Sequence, residues 1–218
     1  MKKNLVITGG NDGLGKAIAE LLSLNNNVIV ISRTERENCY KCDVTNPNEV
    51  DNTIKKIIED HGNIDVLINN AGVWLAGDLT DNTYDQISNC IDVNTKGPIY
   101  MTKAVLPNMY EQGKGLIINI GSTASFDTDE FSTVYNASKW AVRGFTRTMT
   151  IVAAKNGVKI TGFYPGFMQT DLFKKAGNDY DTSTGLEVSK VAKAVEFIVN
   201  CEEDVIIPEF GIKDIENY

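Results

Sequence analysis

Two side chains in the C-terminal half of the chain could together perform proton transfer. Tyr135 and Lys139 are four residues apart in a segment, 133–155, whose apolar periodicity predicts a helix, so they share one helical face. A free phenol titrates near pH 10, so half-ionising it at neutral pH requires roughly 4 kcal/mol. A lysine ammonium about 4 Å away supplies a similar amount in a partly screened site. The pair therefore predicts a general acid/base, although a tyrosine and a lysine at this spacing also occur by chance.

Two polar residues could complete this chemistry. Ser122 stands just after the strand-like run Leu116–Ile120, at the edge of a parallel sheet where ligands bind, and could hold a substrate oxygen beside the phenol. Asn94 lies inside the helical segment 82–111, where asparagine has low propensity. A buried amide there could distort the helical turn and hold a water beside Lys139, while the alternative is a capping or merely tolerated asparagine.

A glycine-rich loop near the N-terminus predicts a phosphate site. Thr8–Gly15 follows the first strand-like run and opens a helix. Gly9 permits a tight turn, Gly13 lets backbone N–H groups approach a pyrophosphate, and Gly15 allows close helix packing. The spacing G-x-x-x-G-x-G differs from the familiar dinucleotide fingerprint, so a plain turn remains an alternative.

The end of the second strand bears on which nucleotide binds. Ser32 and Arg33 stand where an acidic residue would accept the ribose 2′-hydroxyl of NAD, and Arg33 could instead pair with a 2′-phosphate. This favours NADP, with NAD possible. Asp12 argues against NADP because it places negative charge nearby, and Arg33 could also be an ordinary solvated loop residue.

Strand-like and helix-like segments alternate along the chain. This order predicts an α/β fold, a doubly wound (Rossmann-type) parallel sheet with helices on both faces, as a single dinucleotide-binding oxidoreductase domain over residues 1–218. Residues 33–42 are too few for a helical crossover, and residues 173–186 are the best candidate for a loop or lid. The predicted strands are Leu5–Ile7, Val28–Ile31, Val66–Ile68, Leu116–Ile120, Val158–Ile160 and Val205–Ile207, and the predicted helices are 13–24, 48–60, 82–111, 133–155 and 188–200.

Composition excludes several classes of function. A net charge of −8 without a lysine or arginine cluster argues against nucleic acid and anionic membranes as partners. No apolar run reaches a membrane span and no signal peptide is evident, so we expect a cytoplasmic protein. Cys39 and Cys42 have metal-like or redox-like spacing, but no second ligand pair exists, so we expect no metal and two cysteines flanking a buried strand.

Taken together, these motifs resemble the short-chain dehydrogenase/reductase family in its basic single-domain form. Their order and spacing are far more specific than any one of them. The resemblance rests on Thr8–Gly15, Asp43-Val44, Asn69–Gly72, Val93-Asn94, Leu106-Pro107, Ile120–Ser122, Tyr135–Lys139, and Tyr164–Gly166 with Thr170.

The resemblance implies a role for each catalytic residue. Tyr135 would transfer the proton, Lys139 would lower its pKa and hold the nicotinamide ribose, Ser122 would orient the carbonyl, and Asn94 would support a water relay. Asp43 and Val44 would contact adenine, and residues 165–170 would wrap the nicotinamide amide. The full expected cofactor set is Gly9, Asn11, Asp12, Gly13, Leu14, Gly15, Arg33, Asp43, Val44, Asn70, Ala71, Gly72, Tyr135, Lys139, Pro165, Gly166, Met168 and Thr170.

The expected function is hydride transfer between NADP and a small, hydrophobic ketone, aldehyde or secondary alcohol. Gly121 and Gly162 depart from the residues that are common in the family, which weakens any transfer of substrate identity. Alternatives are a dinucleotide-binding sensor without turnover and a nucleotide-sugar epimerase or dehydratase. The resemblance further implies a homodimer or homotetramer. Candidates for the substrate wall are Trp74, Ser122, Phe126, Phe163, Tyr164, Phe167 and Met168.

Overall fold

A parallel sheet with helices on both faces forms the protein. A computed structural model describes residues 2–36 and 38–215. The seven strands are β1 Asn4–Thr8, β2 Asn27–Ser32, β3 Cys39–Lys41, β4 Val66–Asn69, β5 Gly115–Ile120, β6 Val158–Pro165 and β7 Glu209–Ile212. The helices are α1 Gly13–Ser23, α2 Pro47–His61, α3 Tyr84–Ile91, α4 Gly97–Gln112, α5 Thr133–Ala154, α6 Leu172–Lys175 and α7 Val188–Val199.

The strand order is β3-β2-β1-β4-β5-β6-β7, and every adjacent pair is parallel. This is the predicted doubly wound fold. The chain leaves β1 in one direction and returns to β4 on its other side, so the carboxyl ends of β1 and β4 flank a crevice. Such a reversal of strand order is where open α/β sheets bind their ligands.

Alternating apolar side chains supply a separate core on each face of the sheet. In β1, Leu5 and Ile7 pack toward α1 and α7, whereas Val6 packs toward α2, α4 and α5. Both faces are thus buried, which explains why the strands are continuous apolar runs rather than alternating ones.

Two strands differ from the sequence-based expectation. The predicted strand Val205–Ile207 is wrong: the seventh strand begins at Glu209 instead. Pro208 has no N–H to donate to a ladder, so only the residues after it can pair fully with β6. The short strand β3 lies where Cys39 and Cys42 were expected to flank a buried strand, but it is only partly buried. It lies within the connection expected to be abbreviated, and its three residues carry no strong apolar signal.

Candidate functional site

A cavity of about 350 Å³ opens at the carboxyl ends of β5 and β6. Its walls come from the segments that follow β4, β5 and β6 and from the start of α5, so residues far apart in sequence meet there. The side chains relevant to chemistry and shape are Trp74, Ser122, Asp127, Asp129, Tyr135, Phe167, Met168, Phe173 and Tyr180.

The structure brings the three predicted reactive side chains together. Tyr135 lies in the first turn of α5, and its phenol hydrogen-bonds to the Ser122 hydroxyl. The Lys139 Nζ lies 5.6 Å from the centroid of the Tyr135 ring and donates a 3.1 Å hydrogen bond to the Ile120 carbonyl. Ser122 also accepts a hydrogen bond from the Ala124 N–H, which fixes the turn that presents its hydroxyl.

The pKa values of Tyr135 and Lys139 differ from the expectation of a phenol that titrates near neutral pH. Burial is the main cause that raises the pKa of Tyr135 to about 12. The hydrogen bond with Ser122 lowers this pKa, whereas the charges of Cys90 and Asp129 raise it. Burial also lowers the pKa of Lys139 to about 8. In the chain alone the phenol is therefore protonated at neutral pH, and the lysine holds most of its charge.

Asn94 distorts its helix, as the sequence predicts. Residues Asp92–Lys96 form a π-helical turn between α3 and α4. The buried Asn94 amide accepts a 2.8 Å hydrogen bond from the Val73 N–H and donates one of 2.8 Å to the Val73 carbonyl. It also donates 3.0 Å to the Ser138 hydroxyl. Asn94 thus ties the wall behind Gly72 to helix α5, next to Lys139.

The glycine loop has the geometry expected of a phosphate site. Gly9 and Gly13 have φ of 68° and 49°, in the left-handed region that favours glycine. A Cβ on Gly15 would lie 2.2 Å from the Gly9 carbonyl oxygen, so only glycine lets α1 approach the loop this closely. The Asp12 side chain does not cap α1, which leaves the first N–H groups of this helix without a side-chain partner. An anion such as pyrophosphate could therefore bind there.

Thr8 is a site-shaping residue that the sequence did not single out. Its hydroxyl accepts hydrogen bonds from the Asn70 and Ala71 N–H groups at 3.1 and 3.0 Å. The Asn70 amide in turn donates to the Thr8 and Gly9 carbonyls. These bonds join the two sides of the crevice. They connect residues that are far apart in the chain, so no local sequence pattern indicates them. The other predicted residues of this wall, Ala71 and Gly72, follow β4 directly.

Three residues expected at the nucleotide end, Asp12, Arg33 and Asp43, follow β1, β2 and β3, respectively. Arg33 is exposed at the carboxyl end of β2. The Asp12 carboxylate pairs with Lys175 of α6 at 3.2 Å, which offsets the negative charge expected to disfavour NADP. Asp43 follows β3, where its carboxylate accepts hydrogen bonds from the N–H and hydroxyl of Thr45. The predicted residues Asn11, Leu14, Val44, Pro165, Gly166, Met168 and Thr170 lie in the loops and element ends around the same crevice.

Three aromatic residues expected in the substrate wall are not part of it. Phe126 lies outside the cavity because its ring stacks under the Arg143 guanidinium at 3.8 Å and against Tyr164. Phe163 is fully buried in the core. Tyr164 packs over the site of Gly121, where a Cβ would lie 2.4 Å from the Tyr164 ring, which explains the glycine at this position.

Phe173 and Tyr180 are wall residues that the sequence analysis missed. Both belong to the segment predicted as a loop, and the ring of Phe173 lies 4.6 Å from that of Trp74, centroid to centroid. An aromatic residue within the polar run 178–181 was the available signal, because a solvated loop gains nothing from a tyrosine.

The described residues offer no cluster of metal ligands. Over residues 2–36 and 38–215, no group of three or more histidine, cysteine, aspartate or glutamate side chains could hold a metal ion. Cys39 and Cys42 are both free thiols.

No helix in the described part of the chain combines the length and apolar character needed to cross a membrane.

Comparisons with known proteins agree with this geometry. Residues 3–181 match the family described as short chain dehydrogenase. A protein of Staphylococcus aureus (strain USA300) named an uncharacterized oxidoreductase is 34% identical over 227 residues, covering 98% of this chain and 97% of the relative. A similarly named Staphylococcus epidermidis protein is 30% identical, covering 98% of each.

Solved structures are similar over nearly the full length. ElxO with NADP bound superimposes with a TM-score of 0.87 at 30% identity, covering 97% of each chain. The closed form of serine dehydrogenase complexed with NADP+ has a TM-score of 0.91 at 28% identity, covering 99% of this chain and 96% of the other.

Proposed function

Because this chain belongs to the short-chain dehydrogenase family, we propose that it is an NADPH-preferring reductase of small ketones or aldehydes with an apolar body. The observation that carries the proposal is that Ser122 and Tyr135 line a cavity of about 350 Å³, while the buried Lys139 ammonium lies 5.6 Å from the Tyr135 ring. That volume is at the small end of ligand pockets.

Tyr135 acts as the general acid. When bound, the nicotinamide cofactor supplies the hydride. A carbonyl oxygen that gains negative charge needs a proton, and a phenol with a pKa of about 12 is fully protonated at neutral pH and can donate it. The protonated phenol is the form that reduction of a carbonyl requires. Ser122, which is already bonded to the phenol, orients the same carbonyl oxygen.

Lys139 and Asn94 assist proton transfer by Tyr135 without contacting the substrate. The Lys139 ammonium, held by the Ile120 carbonyl, stabilises the negative charge that Tyr135 acquires on losing its proton and offers donors to the nicotinamide ribose. Asn94 fixes the Val73 backbone beside Gly72, and a Cβ on Gly72 would lie 3.9 Å from the Lys139 Nζ. Asn94 is therefore a positioning residue for the lysine, and the water relay remains a prediction.

The cofactor preference follows from the charges at the nucleotide end. The open N-terminus of α1 accepts the pyrophosphate, and Arg33 pairs with a ribose 2′-phosphate. The pairing of Asp12 with Lys175 removes the main objection to NADP. ElxO and serine dehydrogenase, which were solved with NADP, support the same preference.

We further propose the domain organisation, cellular location and assembly of the protein. One domain over residues 1–218 carries both the cofactor and the substrate site, in a cytoplasmic homodimer or homotetramer. The family resemblance supports the assembly, and the charge of −8 supports the absence of nucleic-acid partners.

The test is turnover by a Tyr135→Phe variant. A panel of ketones and aldehydes is followed through the absorbance of NADPH, with NADH in parallel. We expect the variant to bind NADPH normally and to lose at least about 100-fold in kcat, as removal of a positioned acid does. Near-normal turnover would refute the role of Tyr135. Tight NADPH binding by the wild type without turnover of any compound would instead indicate a dinucleotide sensor.

A further inference from the structure

The outer wall of the cavity is a cluster of three aromatic rings. The ring centroids of Trp74, Phe173 and Tyr180 lie 4.6 to 5.7 Å apart, and all three pairs meet edge to face. Trp74 is buried, and its indole N–H donates a 3.1 Å hydrogen bond to the Ser132 hydroxyl, so its ring is held in place. Ring faces carry partial negative charge, which attracts cations brought close to them.

The charged side chains that line the same cavity have one sign. They are Asp127 and Asp129, and among the described lining residues there is no lysine, arginine or histidine. Asp127 is bonded to Lys213 at 3.1 Å. Asp129 forms no ion pair among the described residues, and its carboxylate is oriented by the Phe131 N–H at 2.8 Å.

The charge of Asp129 reaches the reacting end of the cavity. It is one of the groups that raise the pKa of the Tyr135 phenol. The Asp129 backbone carbonyl also accepts a hydrogen bond from the Asn136 amide, next to Tyr135 in α5. The exposed carboxylate of Asp129 therefore lines the same cavity as the phenol of Tyr135.

Charged residues of both signs lie next to the lining residues in the chain: Lys174 and Lys175 follow Phe173, and Lys213 pairs with Asp127, whereas three further carboxylates also lie close by. The Gly77 N–H bonds to the Phe131 carbonyl, which brings Asp78 beside the 127–131 segment. Asp179 and Asp181 flank Tyr180 of the aromatic cluster. A cleft of one charge sign concentrates ligands of the opposite sign and repels those of its own.

We infer that the preferred substrate is a carbonyl compound carrying an alkylammonium group, which the aromatic rings hold and Asp129 attracts, and that carboxylate substrates are rejected. This inference rests on the proposed function, because it concerns the same site. A neutral ketone could also contact the rings, but it would gain nothing from the carboxylates. A bound cation would also offset the field of Asp129 at the phenol and so ease loss of its proton.

Three methyl ketones of matched length test the inference. Each has a three-carbon chain, ending in trimethylammonium, in its neutral isostere tert-butyl, or in carboxylate. With NADPH and the wild type, we expect kcat/KM to be about tenfold or more higher for the cation than for the isostere, and lowest for the carboxylate. The ratio of cation to isostere should fall as salt is added.

Variants assign the preference to residues. Asp129→Asn and Tyr180→Leu should each lower the cation-to-isostere ratio at least about threefold, whereas Glu20→Gln, which removes an exposed charge on α1, should leave it unchanged. The ratio is the proper readout because Asp129→Asn can alter turnover of all three ketones through Tyr135.

The outcomes separate the inference from the function. Equal or better turnover of the isostere or the carboxylate by the wild type would overturn the inference and leave the reductase intact. An unchanged ratio in both variants would also overturn it, since other residues would then select the substrate. If the wild type reduces none of the three ketones nor any carbonyl of the panel, the proposed function itself fails.

Discussion

Burial of the charged Lys139 side chain lowers the free energy of unfolding of the protein. The residue is only 7% exposed, and its ammonium donates a 3.1 Å hydrogen bond to the Ile120 carbonyl. Burial therefore lowers the pKa of its ammonium from 10.5 to about 8. The corresponding free energy is about 3 kcal/mol by which folding disfavours the charged form.

The sign of the pH dependence follows directly. Between about pH 8 and 10.5 the unfolded chain keeps the lysine proton while the folded chain has released it. The free energy of unfolding therefore rises with pH through this window, and the full penalty is present below pH 8.

We expect Lys139→Met to stabilise the protein while destroying its activity. A methionine of similar length removes the penalty of about 3 kcal/mol, and loss of a donor to the Ile120 carbonyl costs about 1 kcal/mol. The variant should thus gain about 2 kcal/mol in the free energy of unfolding at pH 7. This gain should shrink from about pH 8 upward, where the folded wild type releases the proton, and change sign at about pH 9.5–10; above about pH 10.5 the variant should be about 1 kcal/mol less stable than the wild type.

Urea denaturation of both proteins at pH 7, 8.5 and 10 measures this difference. Lys193→Met, at an exposed position of α7, is the matched control and should show no such pH-dependent difference. A Lys139→Met protein less stable than the wild type at pH 7, or a difference that does not change with pH, would refute the reasoning.

Three further substitutions test the nucleotide site and the packing around it. Arg33→Ala should weaken NADPH binding at least about tenfold while changing NADH binding little, because it removes a charge-assisted pair; tighter binding of NADH than NADPH by the wild type would contradict the cofactor preference. Gly15→Ala should abolish binding of either cofactor, since its Cβ would lie 2.2 Å from the Gly9 carbonyl oxygen, and calorimetric titration would detect this loss. Gly121→Ala should destabilise the protein by about 1–3 kcal/mol in urea denaturation because the buried ring of Tyr164 leaves no room for a Cβ; an unchanged midpoint would show that the ring can move.

Most of the strands and helices could be predicted because their sequence patterns are local. Five of the six predicted strands and all five helical segments correspond to observed elements. A distortion of the helix at Asn94 was one of two sequence-based interpretations, because a polar amide inside a helix requires partners from elsewhere, and the structure has a π-helical turn there. The failure at Val205–Ile207 is also local, because Pro208 cannot donate a hydrogen bond to the neighbouring strand and the seventh strand begins after it. The three residues of β3 carry too little pattern to show that this strand is only partly buried.

The wall of the cavity could not be predicted in the same way. Phe126 and Trp74 both stand near glycine or serine motifs, yet only Trp74 lines the cavity. Arg143, seventeen positions after Phe126, draws that ring away, and nothing near Phe126 in the sequence indicates it. Long-range contacts of this kind decide which aromatic side chains face a ligand.

By itself, the sequence determined the order of strands and helices, the glycine loop and the positions of Ser122, Tyr135 and Lys139, because these depend on backbone conformation and periodicity. Only the tertiary structure decided the charge state of the pair, since burial raises the pKa of Tyr135 and lowers that of Lys139. It also decided that aromatic rings and Asp129 share one cavity. The two pKa shifts and the composition of the cavity wall both depend on how distant segments pack together. Packing excludes water from Tyr135 and Lys139, and it is a property of the tertiary structure rather than of any one segment.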